Sequence, residues 1–233
     1  MIPLPNKKYS IIYADPAWTY KVWSEKGDGR SASNHYTLSS LDAMKQIPVQ
    51  SIADKECALF MWATSPNLEE AFELGKAWEF IYKTVGFYWL KRNKKSNGWF
   101  MGNGHYTRSN VEPCLLFTKK QPQDTVEPCL LFTTKKSPKV ISHSVHEIIE
   151  TWETQICTAR VMKHSEKPLE VRNDIVKLFG NLPRIELFAR QETLIKQQVK
   201  GWDAWGNEID GGYFVCDKDD DCVKSNEKQG YLI

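Results

Sequence analysis

The chain has 233 residues, 41% of them hydrophobic and 26% charged, which suits one globular domain with a full core. No apolar run approaches the ~20 residues that cross a bilayer, and Met1-Ile2-Pro3-Leu4-Pro5-Asn6-Lys7-Lys8 carries no apolar signal region, so neither a membrane-bound nor an exported protein is expected. The net charge of +2 permits phosphate binding only where basic residues cluster.

Tyr9-Ser10-Ile11-Ile12-Tyr13-Ala14 predicts a buried strand that stops at Asp15-Pro16. Residues 19–36 are polar and hold Gly27 and Gly29, a loop composition. Ser39 or Ser40 can cap a short helix through Lys45. Cys57 to Ala63 predicts a second buried strand. A helix follows, with Ser65 as N-cap, Pro66 at the first position and an apolar stripe of Leu68, Ala71, Phe72 and Trp78. Ile81 to Lys91 predicts a third strand. Strand, helix, strand in that order implies a right-handed crossover and a largely parallel sheet.

Lys91-Arg92-Asn93-Lys94-Lys95 is the first basic cluster, with Lys119-Lys120 and Lys135-Lys136 further on; each suits phosphate, and each equally suits a solvated face. A loop with Gly98, Gly102 and Gly104 precedes Val111-Glu112-Pro113-Cys114-Leu115-Leu116-Phe117-Thr118, which recurs letter for letter at 126–133. One copy fits the sheet and the other an edge or a loop, so this is a local duplication and not a repeat architecture. Ser165 is expected to cap a helix with Pro168 in its first turn and Val171, Ile175, Leu178 and Phe179 on one face, ended by Gly180. Arg184 to Ala189 predicts the next strand. Acid gathers at Asp217-Lys218-Asp219-Asp220-Asp221, which reads as a solvated tail. Six cysteines without a CxxC pair predict free thiols, and five histidines show no metal spacing, so no zinc site and no other metal is expected.

The pattern is α/β throughout, and in such sheets the residues past the carboxyl ends of the strands build the site. Asp15, Ser65, Arg190 and the 98–108 loop fall there. Asp15-Pro16-Ala17-Trp18 is the strongest local signal. The exocyclic amine of adenine is a poor nucleophile, because its lone pair is delocalised into the ring. A carboxylate and a backbone carbonyl held rigid by proline supply two acceptors for its N–H groups, and an aromatic side chain can line the base. Taken alone, the tetrapeptide is explained as well by a strand-ending turn. No GxGxxG follows the first strand, so a dinucleotide fingerprint is missing.

The segment resembles the (D/N/S)PP(W/Y/F) motif of amino-methyltransferases. More specifically, the chain resembles the MTA-seventy family, that of the catalytic subunit of the mRNA N6-adenosine methyltransferase and its phage and bacterial relatives. The landmarks stand in family order: residues 12–18, His35-Tyr36-Thr37, Ala58 to Thr64, Thr84 to Lys94, Gly104 to Asn110, His164-Ser165-Glu166-Lys167-Pro168, Glu186 to Arg190, and Gly201 to Glu208. The resemblance implies a Rossmann-like S-adenosylmethionine-dependent methyltransferase fold in permuted order, over residues 1–210, with 211–233 as a tail. It implies that Asp15 and the Pro16 carbonyl hold the adenine amine and that Trp18 lines the base pocket. Tyr36 would lie on a closing loop, and Arg108 and Ser165 beside the substrate. Lys167 would reach the cofactor carboxylate or the active-site carboxylate. Glu186, Phe188, Arg190, Asn207 and Glu208 would contact or flank the cofactor. The departures are Ala17 in place of a second proline, the duplicated strand, and extra residues around Trp152–Val161 and Leu194–Lys200, which are expected to lengthen loops.

Bland readings stand beside these. Lys167 also suits an ordinary helix start, Arg190 could pair with Glu186, Trp18 and Trp62 could be plain core, and His105 reads as a loop residue. The reaction implied is methyl transfer to adenine N6, with DNA placed ahead of RNA. The alternatives are an RNA N6-adenosine enzyme, a cytosine exocyclic-amine enzyme, and a catalytically silent nucleic-acid-binding subunit. The expected setting is the cytoplasm of a prokaryotic or phage-infected cell, with nucleic acid as partner and a homo- or hetero-oligomer left open.

Overall fold

Tyr9 to Ala14 is apolar at every position but Ser10, and such a strand is stable only when both its faces are covered. It forms β1 (Tyr9–Ala14) in the middle of an eight-stranded sheet. The computed structural model describes residues 2–18, 40–102, 109–119, 155–162 and 166–216. The other strands are β2 (Ala53–Trp62), β3 (Ile81–Arg92), β4 (Val111–Thr118), β5 (Ile156–Arg160), β6 (Arg184–Leu187), β7 (Asp203–Trp205) and β8 (Tyr213–Phe214). Their order is β5-β3-β4-β2-β1-β6-β7-β8. β1 is parallel to β2 and β6, β6 to β7, and β3 to β5. β4 runs antiparallel between β2 and β3, so the expected parallel crossover from β2 to β3 skips one position.

The helices cover both faces. Ile12, Ala14, Leu59 and Met61 pack with Met44 of α1 (Leu41–Lys45) and with Ala71 and Leu74 of α2 (Leu68–Ala77). Ile11, Tyr13, Phe60 and Trp62 pack with Val171 and Ile175 of α3 (Leu169–Phe179) and with Leu194 of α4 (Gln191–Lys196). Alternate β1 residues thus feed opposite cores, as the two-residue period of a strand requires. The first copy of the duplicated octapeptide is β4; the second, at 126–133, lies outside the described residues.

Of the two serines expected to cap α1, Ser40 does so, its Oγ accepting from Ala43 N–H at 3.1 Å. Several other expectations need correction. Ser65 does not cap α2; Ser65–Asn67 is a 3-10 turn, because Pro66 at its start favours a tight turn before the α-helix sets in. α3 begins after Pro168, whose extended ψ of 136° makes it the N-cap, and Leu178 and Phe179 are exposed rather than part of the buried stripe. β6 stops at Leu187 because Phe188 has φ +60°. Two segments expected as loop insertions are structured in part: 156–160 is β5 and 191–196 is α4. Residues 213–214, set apart above as tail, extend the sheet as β8. Cys57, Cys114 and Cys157 are free and buried, but Cys216 is disulfide-bonded, so the expectation of free thiols fails there.

Candidate active site

The carboxyl ends of β1, β2, β3, β5, β6 and β7 lie at one end of the sheet, together with the start of the antiparallel β4. Asp15 follows β1 there. Its side chain is 21% exposed, so it is reachable from solvent, and its Oδ1 lies 3.1 Å from the Lys167 Nζ. Lys167 is buried and also lies 3.3 Å from Glu112 Oε2. Glu112 is held on its other oxygen by Lys91. Carboxylate and lysine side chains therefore alternate in a chain, Asp15–Lys167–Glu112–Lys91, that ends at the partly exposed Asp15.

Glu112 and Lys91 were missed as site residues. Glu112 sits in an apolar strand segment and Lys91 in a basic cluster, and neither carries a local signal for a buried pair. Alternation in β3 was the available clue, since Lys91 falls two residues from the buried Trp89 and its Nζ lies 4.9 Å from that ring. Burial alone would raise the Glu112 pKa, but Lys167 and Lys91 outweigh it and hold the carboxyl below its ordinary value. A carboxyl depressed in the folded state adds stability above its unfolded pKa of about 4.3, and that contribution is lost as pH falls through the folded value. Glu112→Gln is therefore expected to melt well below the wild type near neutral pH. The gap should narrow on acidification below about pH 4, which thermal melts across a pH series would check.

An aromatic layer backs the chain. The Lys167 Nζ lies 5.6 Å over the Trp62 ring. The Trp62 indole N–H donates to the Tyr13 hydroxyl at 2.6 Å, and the Trp18 indole N–H donates to the Trp62 carbonyl at 3.0 Å. Trp18 is buried, so it forms a fixed wall beside Asp15. The Pro16 carbonyl accepts the Trp18 backbone N–H at 2.9 Å, which leaves one of its two lone pairs.

On the neighbouring strand, Glu186 is bound through both oxygens by Arg172, at 2.7 and 2.6 Å. Both oxygens of the Glu186 carboxylate are thus taken by Arg172. Arg172 is fully buried, lies 5.1 Å over the Tyr13 ring, and donates to Gln197 Oε1 at 2.8 Å. Burial would lower its pKa, but Glu186 more than offsets this and keeps the guanidinium charged. Gln197 in turn donates to Glu166 Oε1 at 2.7 Å and to the Lys167 carbonyl at 3.0 Å. The α4 region thus fixes the segment that carries Lys167.

Phe188, in the left-handed region, turns the chain after β6, stacks on Trp78 with centroids 6.3 Å apart, and meets Trp205 edge to face at 5.8 Å. Such a conformation is strained in a phenylalanine and persists only where packing determines it. Arg190 pairs with Glu208 through a parallel bridge, and Asn207 and Glu208 are exposed. A Cβ on Gly206 would lie 2.4 Å from the Ala189 carbonyl, so only glycine lets these two segments approach so closely. Phe188, Arg190, Asn207 and Glu208 are therefore brought to one end of the sheet, past β6 and β7, the same end at which Asp15 follows β1. Tyr36, Arg108, Ser165 and His105 lie outside the described residues.

No helix among the described residues is long and apolar enough to cross a membrane, and no group of His, Cys, Asp or Glu among them could hold a metal ion. The MT-A70 family model matches residues 9–208. The chain is 34% identical over 221 residues to the Type II methyltransferase M.MunI of Mycoplasma sp, covering 88% of this chain and 80% of that protein. It is 26% identical to the N(6)-adenine-specific methyltransferase METTL4 of Mus musculus, over 90% of this chain and 40% of that protein. It is 24% identical to the N(6)-adenosine-methyltransferase catalytic subunit METTL3 of Homo sapiens, over 96% of this chain and 31% of that protein. The chain thus spans less than half the length of the last two.

Proposed function

The chain belongs to the MT-A70 family, and on that basis we propose that it transfers a methyl group from S-adenosylmethionine to the exocyclic N6 of adenine in a nucleic acid, with DNA as the polymer. The observation that carries this reading is the solvent-reachable Asp15 at the end of β1, held by the buried Lys167. Asp15 and the remaining lone pair of the Pro16 carbonyl accept the two N–H groups of the amine. That draws the nitrogen toward tetrahedral geometry and frees its lone pair for attack. Lys167 aims Asp15 through their ion pair, and Trp18 is the wall against which the base rests. A base paired in a duplex must first be flipped out to reach Asp15. Most of the catalysis is positioning of groups that are already oriented.

The residues past β6 and β7 fit the cofactor by their chemistry. Arg190 and Asn207 supply donors for a carboxylate or hydroxyl, Glu208 supplies an acceptor for ribose hydroxyls, and Phe188 supplies an aromatic face. When bound, S-adenosylmethionine provides an electrophilic methyl on a sulfonium. Glu186, committed to Arg172, braces the strand that presents these groups. A permuted order is supported by the sheet, in which β1, bearing Asp15, lies beside β6 from the far end of the chain.

DNA is favoured over RNA because identity is higher against the Mycoplasma Type II methyltransferase than against the adenosine-methyltransferase subunit, and the chain covers 80% of the former's length against 31% of the latter's. Initial rates of labelled methyl transfer to matched DNA and RNA oligonucleotides test this. Faster transfer to DNA is expected; faster transfer to RNA would reverse the polymer assignment, and transfer to neither would reject the reading.

A further inference from the structure

The β3–β4 connection holds a second, separate arrangement that the chemistry at Asp15 does not use. Arg92 ends β3, and Trp99 pairs with it through an antiparallel bridge. The Arg92 guanidinium lies 4.0 Å from the centroid of the Trp99 ring and donates to the Asn97 carbonyl at 2.7 Å. Arg160, opposite Arg92 on β5, donates to the Lys94 carbonyl at 3.2 Å and to Asn97 Oδ1 at 3.1 Å. Asn93 N–H closes the turn on the Gly98 carbonyl at 3.0 Å. Two guanidinium groups thus fix this turn, yet Trp99 remains 48% exposed and Met101 67% exposed. Residues 91–102 contain four basic side chains and no acidic one.

A half-exposed indole, backed by a guanidinium and set in a segment with four basic side chains and no acidic one, complements a flat base on an anionic backbone. We propose that Trp99 is a stacking platform for an unpaired base flanking the target adenine, with Arg92 backing the ring and Lys94 and Lys95 facing phosphates. The inference rests on the function proposed above and adds a positioning residue to it. The platform stands at the same end of the sheet as Asp15, and Lys91, the residue before Arg92, closes the ion-pair chain that leads to Asp15. Aromatic rings hold bases with little regard for sequence, whereas phosphate contacts show in the salt dependence.

Binding of a dye-labelled single-stranded adenine oligonucleotide, followed by anisotropy at several salt concentrations, tests the platform. Trp99→Ala is expected to weaken binding roughly 5- to 100-fold with an unchanged salt slope. Trp99→Phe recovers most of the loss. Lys94→Gln lowers the salt slope by about one. A scan of abasic substitutions should find one flanking position where the wild type loses affinity and Trp99→Ala loses no more. If Trp99→Ala melts markedly lower, Trp99→Leu, which keeps apolar bulk without a ring, carries the same comparison. Wild-type binding in both variants, or abasic and Trp99 losses that simply add, would overturn the platform while methyl transfer by the wild type leaves the function standing. No binding by the wild type would overturn both. Binding that depends on Trp99 without any methyl transfer would uphold the platform and reject the function.

Discussion

Asp15→Ala is expected to lower the rate of methyl transfer by about 10²–10³-fold, the scale of losing one oriented polar group at a reacting centre. The fold should survive, because Lys167 keeps Glu112 as a counter-charge, 3.3 Å away, when Asp15 is removed. Cofactor binding should survive as well, since Phe188, Arg190, Asn207 and Glu208 sit past other strands. Thermal stabilisation by S-adenosylmethionine would verify it, because a ligand that binds only the native state raises its stability. A folded variant that binds cofactor but transfers little isolates the defect to the amine. Asp15→Asn, which keeps one acceptor oxygen, is expected to fall between alanine and the wild type.

Arg172→Ala has the largest expected effect on stability. Its three nitrogens are all engaged, two with Glu186 and one with Gln197, and it lies over Tyr13. Removing it leaves a buried carboxylate without its partner, which costs about 3–5 kcal/mol. In a chain of this size that is a fall in Tm of roughly 6–20 °C. Neutralising both partners, as in Arg172→Met with Glu186→Gln, should recover much of the loss, because the buried charge and not the missing contact is what destabilises. Activity should drop beyond the loss of folded protein. Gln197, freed from Arg172, also holds the Lys167 carbonyl, and Lys167 aims Asp15. A melting curve together with transfer rates below the transition would check both effects.

Legibility in the sequence followed from local pattern. β1 was plain, since an apolar run ending in Asp-Pro has little choice but to be a buried strand with a turn after it. The β3 span and the end of α3 at Gly180 were plain for similar reasons of alternation and of positive φ. β5 was not legible, because Ile156-Cys157-Thr158-Ala159-Arg160 is short, only partly buried, and becomes a strand through pairing with β3. α4 was read as an insertion, and its value emerges only in three dimensions, where Gln197 and Lys196 meet Glu166. The turn at Phe188 could not be read either, since a phenylalanine gives no hint of a left-handed backbone; the packing of Trp78 and Trp205 dictates it.

The site was legible only in part for the same reason. Asp15, Trp18 and Lys167 stood in recognisable motifs, and the structure brings Asp15 and Lys167 to ion-pair distance. Glu112 was hidden because a glutamate in an otherwise apolar strand invites no functional reading, and it matters only through the two lysines that reach it from β3 and from the segment before α3. The place of Glu186 in the chain suits a cofactor neighbour. What decides its position is Arg172, fourteen residues away on α3, with both oxygens bound.

The proposed role of Asp15 is to present the exocyclic amine of adenine for methylation. It is tested most directly by digesting a DNA oligonucleotide to nucleosides after incubation with the protein and S-adenosylmethionine, and identifying the methylated product by mass spectrometry. N6-methylated adenine is expected with the wild type, and its near absence with Asp15→Ala. Methyl on the cytosine amine, or an equal yield of methylated adenine from Asp15→Ala, would contradict it.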